Sequence, residues 1–197
     1  MSKTDELRKI RDEVLALESS PLYAERVKNK VFPVIGEGSH DARIMFIGEA
    51  PGKNEAKTGR PFCGTAGKIL DQLLSSVGID RQDVYITNIV KDRPPFNRDP
   101  EPEEISTYGP FLDRQIEIIR PQVIATLGRF SMDYIMRRLG LLSQLGSISA
   151  LHGQAFTSTT SYGPVTIIPL YHPAVAIYNQ ASKDILIQDF KILQKYK

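Results

Sequence analysis

Cysteine is almost absent from this chain of 197 residues, and the single one, Cys63, excludes any disulfide within the chain. A lone thiol is typical of a protein that works in a reducing compartment. Apolar runs are short, and none approaches the roughly 20 residues that a membrane-spanning helix needs. The first residues, Met1–Arg11, are charged and lack the apolar segment of a secretory signal. We therefore expect a cytoplasmic protein.

The net charge is also small. The formal charge is +2 and the pI is about 8.6, which permits a polyanionic partner without arguing for one. The composition, with 41% hydrophobic and 24% charged residues, is that of an ordinary globular protein. No internal repeat or long low-complexity tract interrupts the chain. A single domain over residues 1–197 is predicted, large enough to bury a substantial core.

Short apolar runs alternate with segments of helical periodicity. The runs predicted as strands are Arg43–Ile47, Val84–Ile86, Val123–Leu127 and Val165–Leu170. The predicted helices are Thr4–Glu18, Ala66–Val77, Glu103–Ile119, Arg129–Leu139 and Asp184–Tyr196, with Pro110 expected to kink or split the third. This alternation predicts an α/β fold, a three-layer αβα sandwich with a central, mainly parallel four-stranded sheet. The polar segment Gly140–Gly163 is compatible with a short extra strand or a mobile loop.

Three polar side chains follow predicted strands. Glu49 lies in the loop after the first strand, Asn88 closes the second, and His172 follows the last. Each has an ordinary explanation: a turn carboxylate, an Asx turn or strand cap, and a structural histidine. Because the carboxyl ends of parallel strands meet in one crevice where ligands bind, we expect the three to share a pocket.

A glycine-rich segment, residues 59–67, precedes the second predicted helix. Amides at a helix N-terminus suit an anionic phosphate, but the segment lacks the Lys-Ser/Thr ending of a nucleotide P-loop, so an NTPase is disfavoured. Phe62 is unusual among these small residues, and its ring could serve as a stacking platform for a base. Cys63 is interpreted as a small buried hydrophobe.

A basic cluster follows Asn88 directly and contains Lys91, Arg93 and Arg98. It is either an ordinary solvated loop or a rim that contacts phosphates.

Several short motifs occur in a specific order along the chain. They are Gly36-Glu37-Gly38, Gly48-Glu49-Ala50-Pro51-Gly52, Lys57-Thr58-Gly59-Arg60-Pro61-Phe62, Gly64-Thr65-Ala66-Gly67, Val84–Lys91, Arg93-Pro94-Pro95 and His172-Pro173-Ala174. Each is weak alone, but in this order the chain resembles the family 4 uracil-DNA glycosylases from about Glu18 to the C-terminal helix. The resemblance implies hydrolysis of the N-glycosidic bond of uracil in DNA, which is a base excision repair reaction.

The resemblance also implies roles for individual residues. Phe62 would stack on the extruded uracil, Asn88 would read its amide edge, and His172 would donate to the carbonyl oxygen where charge collects. Glu49 lies in the water-activating motif, and Glu55 is similar to the residue that excludes the methyl group of thymine. The motif glycines Gly48 and Gly52 belong to the same substrate site.

Contact with DNA is expected from residues of several motifs and of the loop after His172. The residues assigned to it are Gly64, Thr65, Gly67, Lys91, Arg93, Pro173, Ala174, Ala176 and Ile177. Within the loop Pro173–Gln180, Ala176 and Ile177 are the candidates for a wedge that enters the minor groove and fills the gap left by the flipped nucleotide.

The chain departs from the family where the family holds a 4Fe–4S cluster on four cysteines. Those positions correspond here to Leu17, Ser20, Asp92 and Tyr108, so a cluster-free protein is expected because thiolates are what hold the iron. Packing around Leu17 and Tyr108 would then join the N-terminal helix to the Pro95–Arg98 loop. A second departure is Ala56, where the family typically has an acidic residue.

Two rival functions remain open at this point. One is a glycosylase for other deaminated or mismatched bases, and the other is a DNA-damage-binding module with weak or no catalysis. The retained Glu49, Asn88 and His172 count against a pure binder. No metal and no obligate protein partner is expected, and the predicted state is a monomer in the cytoplasm of a bacterial or archaeal cell, associated with the nucleoid.

Overall fold

Helices and strands alternate along most of the chain in the computed structural model, which describes residues 2–177 and 179–197. The α-helices are α1 Lys3–Leu15, α2 Tyr23–Asn29, α3 Lys53–Thr58, α4 Thr65–Ser76, α5 Pro102–Ile119, α6 Arg129–Arg138, α7 Ile148–Leu151 and α8 Gln180–Phe190. The strands are β1 Glu37–Gly38, β2 Ile44–Gly48, β3 Tyr85–Asn88, β4 Val123–Leu127, β5 Phe156–Thr160 and β6 Gly163–Leu170. Short 3₁₀ segments cover Pro95–Asn97, Leu142–Gln144, Pro173–Ala176 and Lys191–Tyr196.

The sheet is mixed and has six strands in the order β1-β3-β2-β4-β6-β5. The α/β class is confirmed, and the prediction of four strands is wrong. The four predicted strands form the parallel centre, while β1 and β5 pair antiparallel at the two edges. β1 has only two residues, which is too short to show a strand pattern. β5 is the extra strand left open in the polar segment, and it is rich in Ser and Thr because it is half-exposed.

Helices pack on both faces of the sheet. Alternate side chains of β2 enter different cores, since successive residues of a strand point to opposite faces. Met45 and Ile47 join a cluster with residues of α1, α5 and α6. Phe46 lies in the other cluster, with residues of α4 and α8. β2 is buried along its whole length, which explains its uninterrupted apolar sequence.

The helices differ from the prediction in three respects. α5 runs as one helix through Pro110 rather than splitting there. We attribute this to its long buried face, since tertiary packing offsets the lost hydrogen bond. The last helix begins at Gln180, where Asn179 accepts a capping hydrogen bond from the amide of Ala181. α2 and α3 were not predicted, because each spans only two turns or fewer.

Within residues 2–177 and 179–197, no helix combines the length and the apolar character needed to cross a membrane.

The carboxyl ends of the central strands meet at one edge. Gly48 at the end of β2 pairs with Asn88 at the end of β3, and Leu127 pairs with Leu170. The loops that follow carry Glu49 and His172. The fold therefore brings the polar groups Glu49, Asn88 and His172 to the same crevice, as expected for an open parallel sheet.

Candidate active site

A cavity of about 390 Å³ opens at this edge. The ends of β2, β3 and β6 form its floor, and α3, the start of α4 and the loop Pro94–Arg98 form its walls. The lining residues are Glu49, Ala50, Pro51, Gly52, Glu55, Phe62, Ala66, Asn88, Pro94, Asn97, Arg98, His172 and Ala174. The three side chains expected to share a pocket do share one, together with Phe62 and Glu55. Sequence reasoning missed the contribution of Pro94 and Asn97.

The carboxamide of Asn88 and the ring of Phe62 approach the same point of the backbone. A Cβ atom on Gly48 would lie 2.3 Å from Oδ1 of Asn88 and 2.8 Å from the Phe62 ring, so only glycine leaves room for both. Asn88 is 2% exposed, yet its carboxamide forms no hydrogen bond with the described residues. A buried amide that lacks a protein partner and faces a cavity is suited to bind a ligand.

Phe62 is held in an unusual conformation. Its φ is +47°, which costs about 1–2 kcal/mol for a residue other than glycine, and its ring is buried. The main chain of Phe62 packs on Gly67, where a Cβ atom would lie 1.8 Å from the Phe62 carbonyl oxygen. The ring centroid lies 5.6 Å from that of His172, with 34° between the planes. Strain of this kind concentrates at functional sites.

His172 is present as one neutral tautomer. Its Nδ1 accepts a hydrogen bond from the backbone amide of Ala174 at 3.2 Å, so the ring proton resides on Nε2. Burial lowers the pKa of His172 to about 4, against the opposing charge of Glu55. A neutral imidazole at physiological pH can therefore donate one hydrogen bond from Nε2 without carrying a charge.

Glu49 is the second titratable group at the site. Burial raises the pKa of Glu49 to about 7; the negative charge of Asp99 adds to this, and Arg129 opposes it. Its carboxylate forms no hydrogen bond with the described residues, while its main chain is tied to β3 through the amide of Val90 at 3.0 Å. A carboxylate with a pKa near neutrality is suited to take a proton from water.

Glu55 braces the loop that carries Phe62. Its Oε1 accepts hydrogen bonds from the amides of Cys63 at 3.1 Å and Gly64 at 2.9 Å, just before α4 begins at Thr65. This places a negative charge at the positive end of α4, where it is stabilising. Ala56, its neighbour, is fully buried and does not line the cavity.

Some of the residues expected to contact DNA are exposed, and others are buried. Gly64 and Thr65 lie at the open end of α4, whereas Gly67 is buried against Phe62, so close packing explains the glycine there. Ala174 lines the cavity, and Pro173 is buried beneath it.

Lys91 is not on the rim. It is fully buried, and its ammonium donates to Thr87 Oγ1 at 2.9 Å, to the carbonyl of Asn88 at 2.7 Å and to Gln115 Oε1. Burial lowers the pKa of Lys91 well below its usual value. The expected phosphate contact is wrong, because this side chain lies inside the protein and supports the strand end that presents Asn88.

Arg93 and Arg98 remain at the surface. Arg93 donates from Nε to Asn97 Oδ1 at 2.6 Å, and Arg98 binds the carboxylate of Glu104 at 2.6 and 3.0 Å. Both arginines brace the loop at the cavity mouth, so either remains compatible with a phosphate contact.

The wedge candidates Ala176 and Ile177 are less exposed than the neighbouring Val175. Ala176 is partly buried and packs against the core beside α8, while Val175 is 39% exposed. Ile177 is partly buried, and the loop Pro173–Gln180 includes Tyr178, which lies outside the described residues.

A second group of polar side chains lies where α2, α5 and the segment after β3 meet. The hydroxyl of Tyr108 donates to Asp92 Oδ2 at 2.6 Å and lies 2.6 Å from Ser20 Oγ. Arg26 approaches the same carboxylate oxygen at 3.1 Å and donates to the carbonyl of Val14 at 3.0 Å. Ser20, Arg26, Asp92 and Tyr108 are all buried, and we call them the buried network.

The buried network joins the end of α1 to α5 and to the segment before Pro94. Packing around Leu17 and Tyr108 was expected to make this connection, but Leu17 is only partly buried and the direct links are hydrogen bonds and an ion pair. The participation of Arg26 was missed, because a lone arginine in a short helix resembles a surface residue.

Comparison with known proteins agrees with the site. The chain matches the family model described as "Uracil DNA glycosylase superfamily" over residues 35–191. The chain belongs to this superfamily. It is 45% identical to a type-4 uracil-DNA glycosylase of Sulfurisphaera tokodaii over 97% of this chain and 84% of that relative. A type-4 uracil-DNA glycosylase of Thermotoga maritima is 40% identical over 88% of this chain and 92% of its own length. These matches confirm the resemblance inferred from the motifs.

The residues of this family member do not fit a 4Fe–4S cluster. Ser20, Asp92 and Tyr108, at three of the four ligand positions, meet in the buried network, but none supplies sulfur. The one cysteine, Cys63, lies in the loop before α4 and faces Thr58 Oγ1 at 3.3 Å. Across the described ranges, no group of three or more His, Cys, Asp or Glu side chains is placed to hold a metal. Iron–sulfur clusters require thiolate ligands, and the space is filled by hydrogen-bonded side chains instead.

Proposed function

We propose that this chain hydrolyses the N-glycosidic bond of uracil in DNA and leaves an abasic site for base excision repair. The observation that carries the proposal is the convergence of an aromatic ring, a carboxamide and a neutral imidazole, those of Phe62, Asn88 and His172, on one cavity. The type-4 uracil-DNA glycosylases that share up to 45% identity with the chain support the choice of reaction.

Recognition of uracil follows from the chemistry of these groups. The base leaves the helical stack and enters the cavity, where its face stacks on the Phe62 ring. The carboxamide of Asn88 offers one donor and one acceptor, which matches the N3–H and O4 edge of uracil. Cytosine presents the opposite pattern on this edge, so a carboxamide held in the orientation that suits uracil would leave buried polar groups unpaired against cytosine, at a cost of about 1–3 kcal/mol each. Glu55, held by the amides before α4, would limit the space for a thymine methyl group.

Bond cleavage separates charge within the site. The bond between C1′ and N1 breaks, both electrons leave with uracil, and the negative charge spreads from N1 to the carbonyl oxygens O2 and O4. His172 donates from Nε2 to the oxygen where this charge collects, and such a fixed donor is worth about 3–4 kcal/mol in comparable sites. Glu49 orients a water molecule toward C1′ and takes its proton as the new C–O bond forms.

Contacts to the DNA backbone would come from surfaces around the cavity mouth. The amide at Thr65, together with Arg93, would position phosphates, since the amide of Gly64 is already bound by Glu55. Ala174, Val175 and Ile177 would face the groove. This substrate would bring the protein to the nucleoid, in the cytoplasm. We further propose that it works as a monomer without an iron–sulfur cluster.

A strand-cleavage assay tests the proposed reaction. Purified protein is incubated with end-labelled DNA that contains a single uracil, and alkali then cuts any abasic site. Metal and sulfide analysis is run on the same preparation. We expect cleavage at the uracil and no stoichiometric iron. Bound iron together with a visible absorbance band would contradict the cluster-free assignment but not the proposed reaction.

The same assay separates the rival functions. Duplexes with hypoxanthine, xanthine or mismatched thymine replace the uracil substrate in parallel reactions. Cleavage only at one of these would establish a different base specificity. Binding to uracil DNA without any abasic product would establish a damage-binding module.

A further inference from the structure

Phe96 is the most exposed large hydrophobic residue in the described part of the chain. Its side chain is 97% exposed, whereas the next, Leu142, is 58% exposed. A single exposed aromatic ring is not unusual in itself, but one that makes almost no contact with the protein contributes nothing to folding.

The backbone at Phe96 is strained as well. Its φ is +57° and that of Asn97 is +56°, so two consecutive residues other than glycine occupy the left-handed region. This conformation is unfavourable for each residue and especially for a bulky aromatic one. Because Phe96 recovers no packing in return, the structure gives no reason for phenylalanine at a position where glycine would be more stable.

The loop is held in this shape by several contacts. The amide of Asn97 donates to the carbonyl of Pro94 at 3.1 Å, and Arg93 binds the Asn97 side chain at 2.6 Å. On the other side, Arg98 forms two hydrogen bonds to Glu104, which is 1% exposed. The ring is therefore presented outward from a braced turn.

The position of the turn relates it to the active site. Pro94, Asn97 and Arg98 line the same cavity as Asn88 and His172. Phe96 does not itself line the cavity, but it lies between Pro94 and Asn97, which do, so its exposed ring belongs to the loop at the cavity mouth. Among the residues described, Arg93 has no carboxylate within ion-pair distance, so its charge remains available for a phosphate beside the ring.

We propose that Phe96 is a second base-stacking residue, and that it binds the face of a base adjacent to the extruded nucleotide. This inference rests on the proposed function and adds a contact outside the uracil pocket. Extrusion exposes the face of a neighbouring base to water, and an aromatic ring on the rim covers that face. Stacking is tolerant of sequence because every base has a π-face, so the contact adds affinity without base specificity.

Binding is measured with DNA that contains a 2′-fluoro deoxyuridine, whose glycosidic bond resists hydrolysis, and with 2-aminopurine next to it as a fluorescent reporter. The proteins are the unmodified chain, Phe96→Ala, Phe96→Gly, Phe96→Tyr and the control Leu142→Ala. We expect Phe96→Ala and Phe96→Gly to bind about 5- to 100-fold more weakly, as loss of one stacked base predicts. Phe96→Tyr and Leu142→Ala should bind within about threefold of the unmodified chain.

The readouts also separate this contact from a structural role. Phe96→Gly should raise the melting temperature while it weakens binding, because it relieves backbone strain. The 2-aminopurine signal change on binding should shrink in both truncations and persist in Phe96→Tyr. Unchanged affinity and fluorescence for Phe96→Ala would overturn the proposal while leaving uracil excision intact. If no uracil is released by the unmodified chain but the Phe96 truncations still weaken binding, the proposed reaction fails and this contact stands.

Discussion

The cavity and the buried network are two regions where this protein places polar side chains inside its fold, and they are built in opposite ways. In the network, the hydroxyl of Tyr108 and the guanidinium of Arg26 both bind the carboxylate of Asp92. In the cavity, neither the carboxamide of Asn88 nor the carboxylate of Glu49 has a hydrogen-bond partner among the described residues. One region satisfies its polar groups internally, and the other leaves them for a ligand.

The pKa values show the same contrast. Burial raises the pKa of Asp92, but the hydrogen bond from Tyr108 and the charge of Arg26 act against it. Burial raises the pKa of Glu49 to about 7 with Arg129 as the only opposing charge. Partners keep a buried group in one protonation state, whereas their absence brings it near neutrality, where it can exchange a proton. Buried polar side chains therefore stabilise the fold in the buried network, whereas in the cavity they are available for a reaction.

The largest expected effect comes from breaking the network. Asp92→Ala leaves the charge of Arg26 buried and unpaired, which should lower the free energy of unfolding by about 3–5 kcal/mol in urea denaturation. Asp133→Ala is the matched control, since it removes an exposed ion pair with Arg137 and should cost about 0.5 kcal/mol or less. At temperatures where Asp92→Ala stays folded, uracil excision should continue. Equal stability losses in both variants would remove the network from the support of the fold.

Side-chain truncation in the cavity should have the reverse effect: a large loss of activity with little loss of stability. Asn88→Ala and His172→Ala should each slow uracil release by about 100- to 1,000-fold, with little change in stability or DNA affinity, because they remove fixed contacts to the leaving base. Single-turnover excision and anisotropy titration measure the two quantities. His40→Ala, whose ring binds Thr4 far along the chain from the site, should behave as the unmodified protein. Undiminished excision in either cavity variant would exclude that residue from the reaction.

The pH dependence of uracil excision also tests the comparison between the cavity and the buried network, with an expected effect of intermediate size. Excision should increase as pH rises through about 7, since Glu49 must be ionised to accept a proton. Glu49→Gln should be slow and should lose this increase, while Glu6→Gln on α1 keeps it. A rise that survives in Glu49→Gln would assign the titration to another group.

Ionisation of Glu49 should lower the stability of the fold, although it should raise the rate of excision. The folded pKa of Glu49 is about 7, above its ordinary value of 4.5, so the folded state binds more protons than the unfolded state between these values. Stability from this group is complete below pH 4.5 and is lost as pH rises through 7. Glu49→Gln should therefore raise the melting temperature at pH 8 and leave it nearly unchanged at pH 4.5.

The smallest expected effect is at the rim. Arg93→Ala should weaken DNA binding evenly across sequences and reduce the slope of log K against log salt by about one. Anisotropy titrations between 50 and 200 mM salt provide the slope. Arg11→Ala on α1, where the guanidinium binds Asp12, is the control and should leave the slope unchanged. An unaltered slope in Arg93→Ala would place this arginine outside the phosphate contacts.

The sequence predicted the chemistry of the site better than the burial of its surroundings. Glu49, Asn88 and His172 could be located because each follows an apolar strand, and parallel strands end at one edge. Lys91 was assigned to the surface because it precedes Arg93 in a basic run. Its ammonium is bound by Gln115, a residue 24 positions away on α5, and nothing local to Lys91 indicates that partner.

The sequence by itself determined the alternation of strands and helices, because side-chain periodicity and loop residues act over a few positions. It also determined which polar residues follow the strands, and hence which chemical groups form the site. Tertiary structure alone decided which charges lie inside. Arg26 and Asp92 are 66 residues apart, and a buried charge is tolerated only where the fold supplies such a partner. It also decided that Phe96 points outward, since the contacts that hold its strained turn come from Arg93 and from Glu104 on α5.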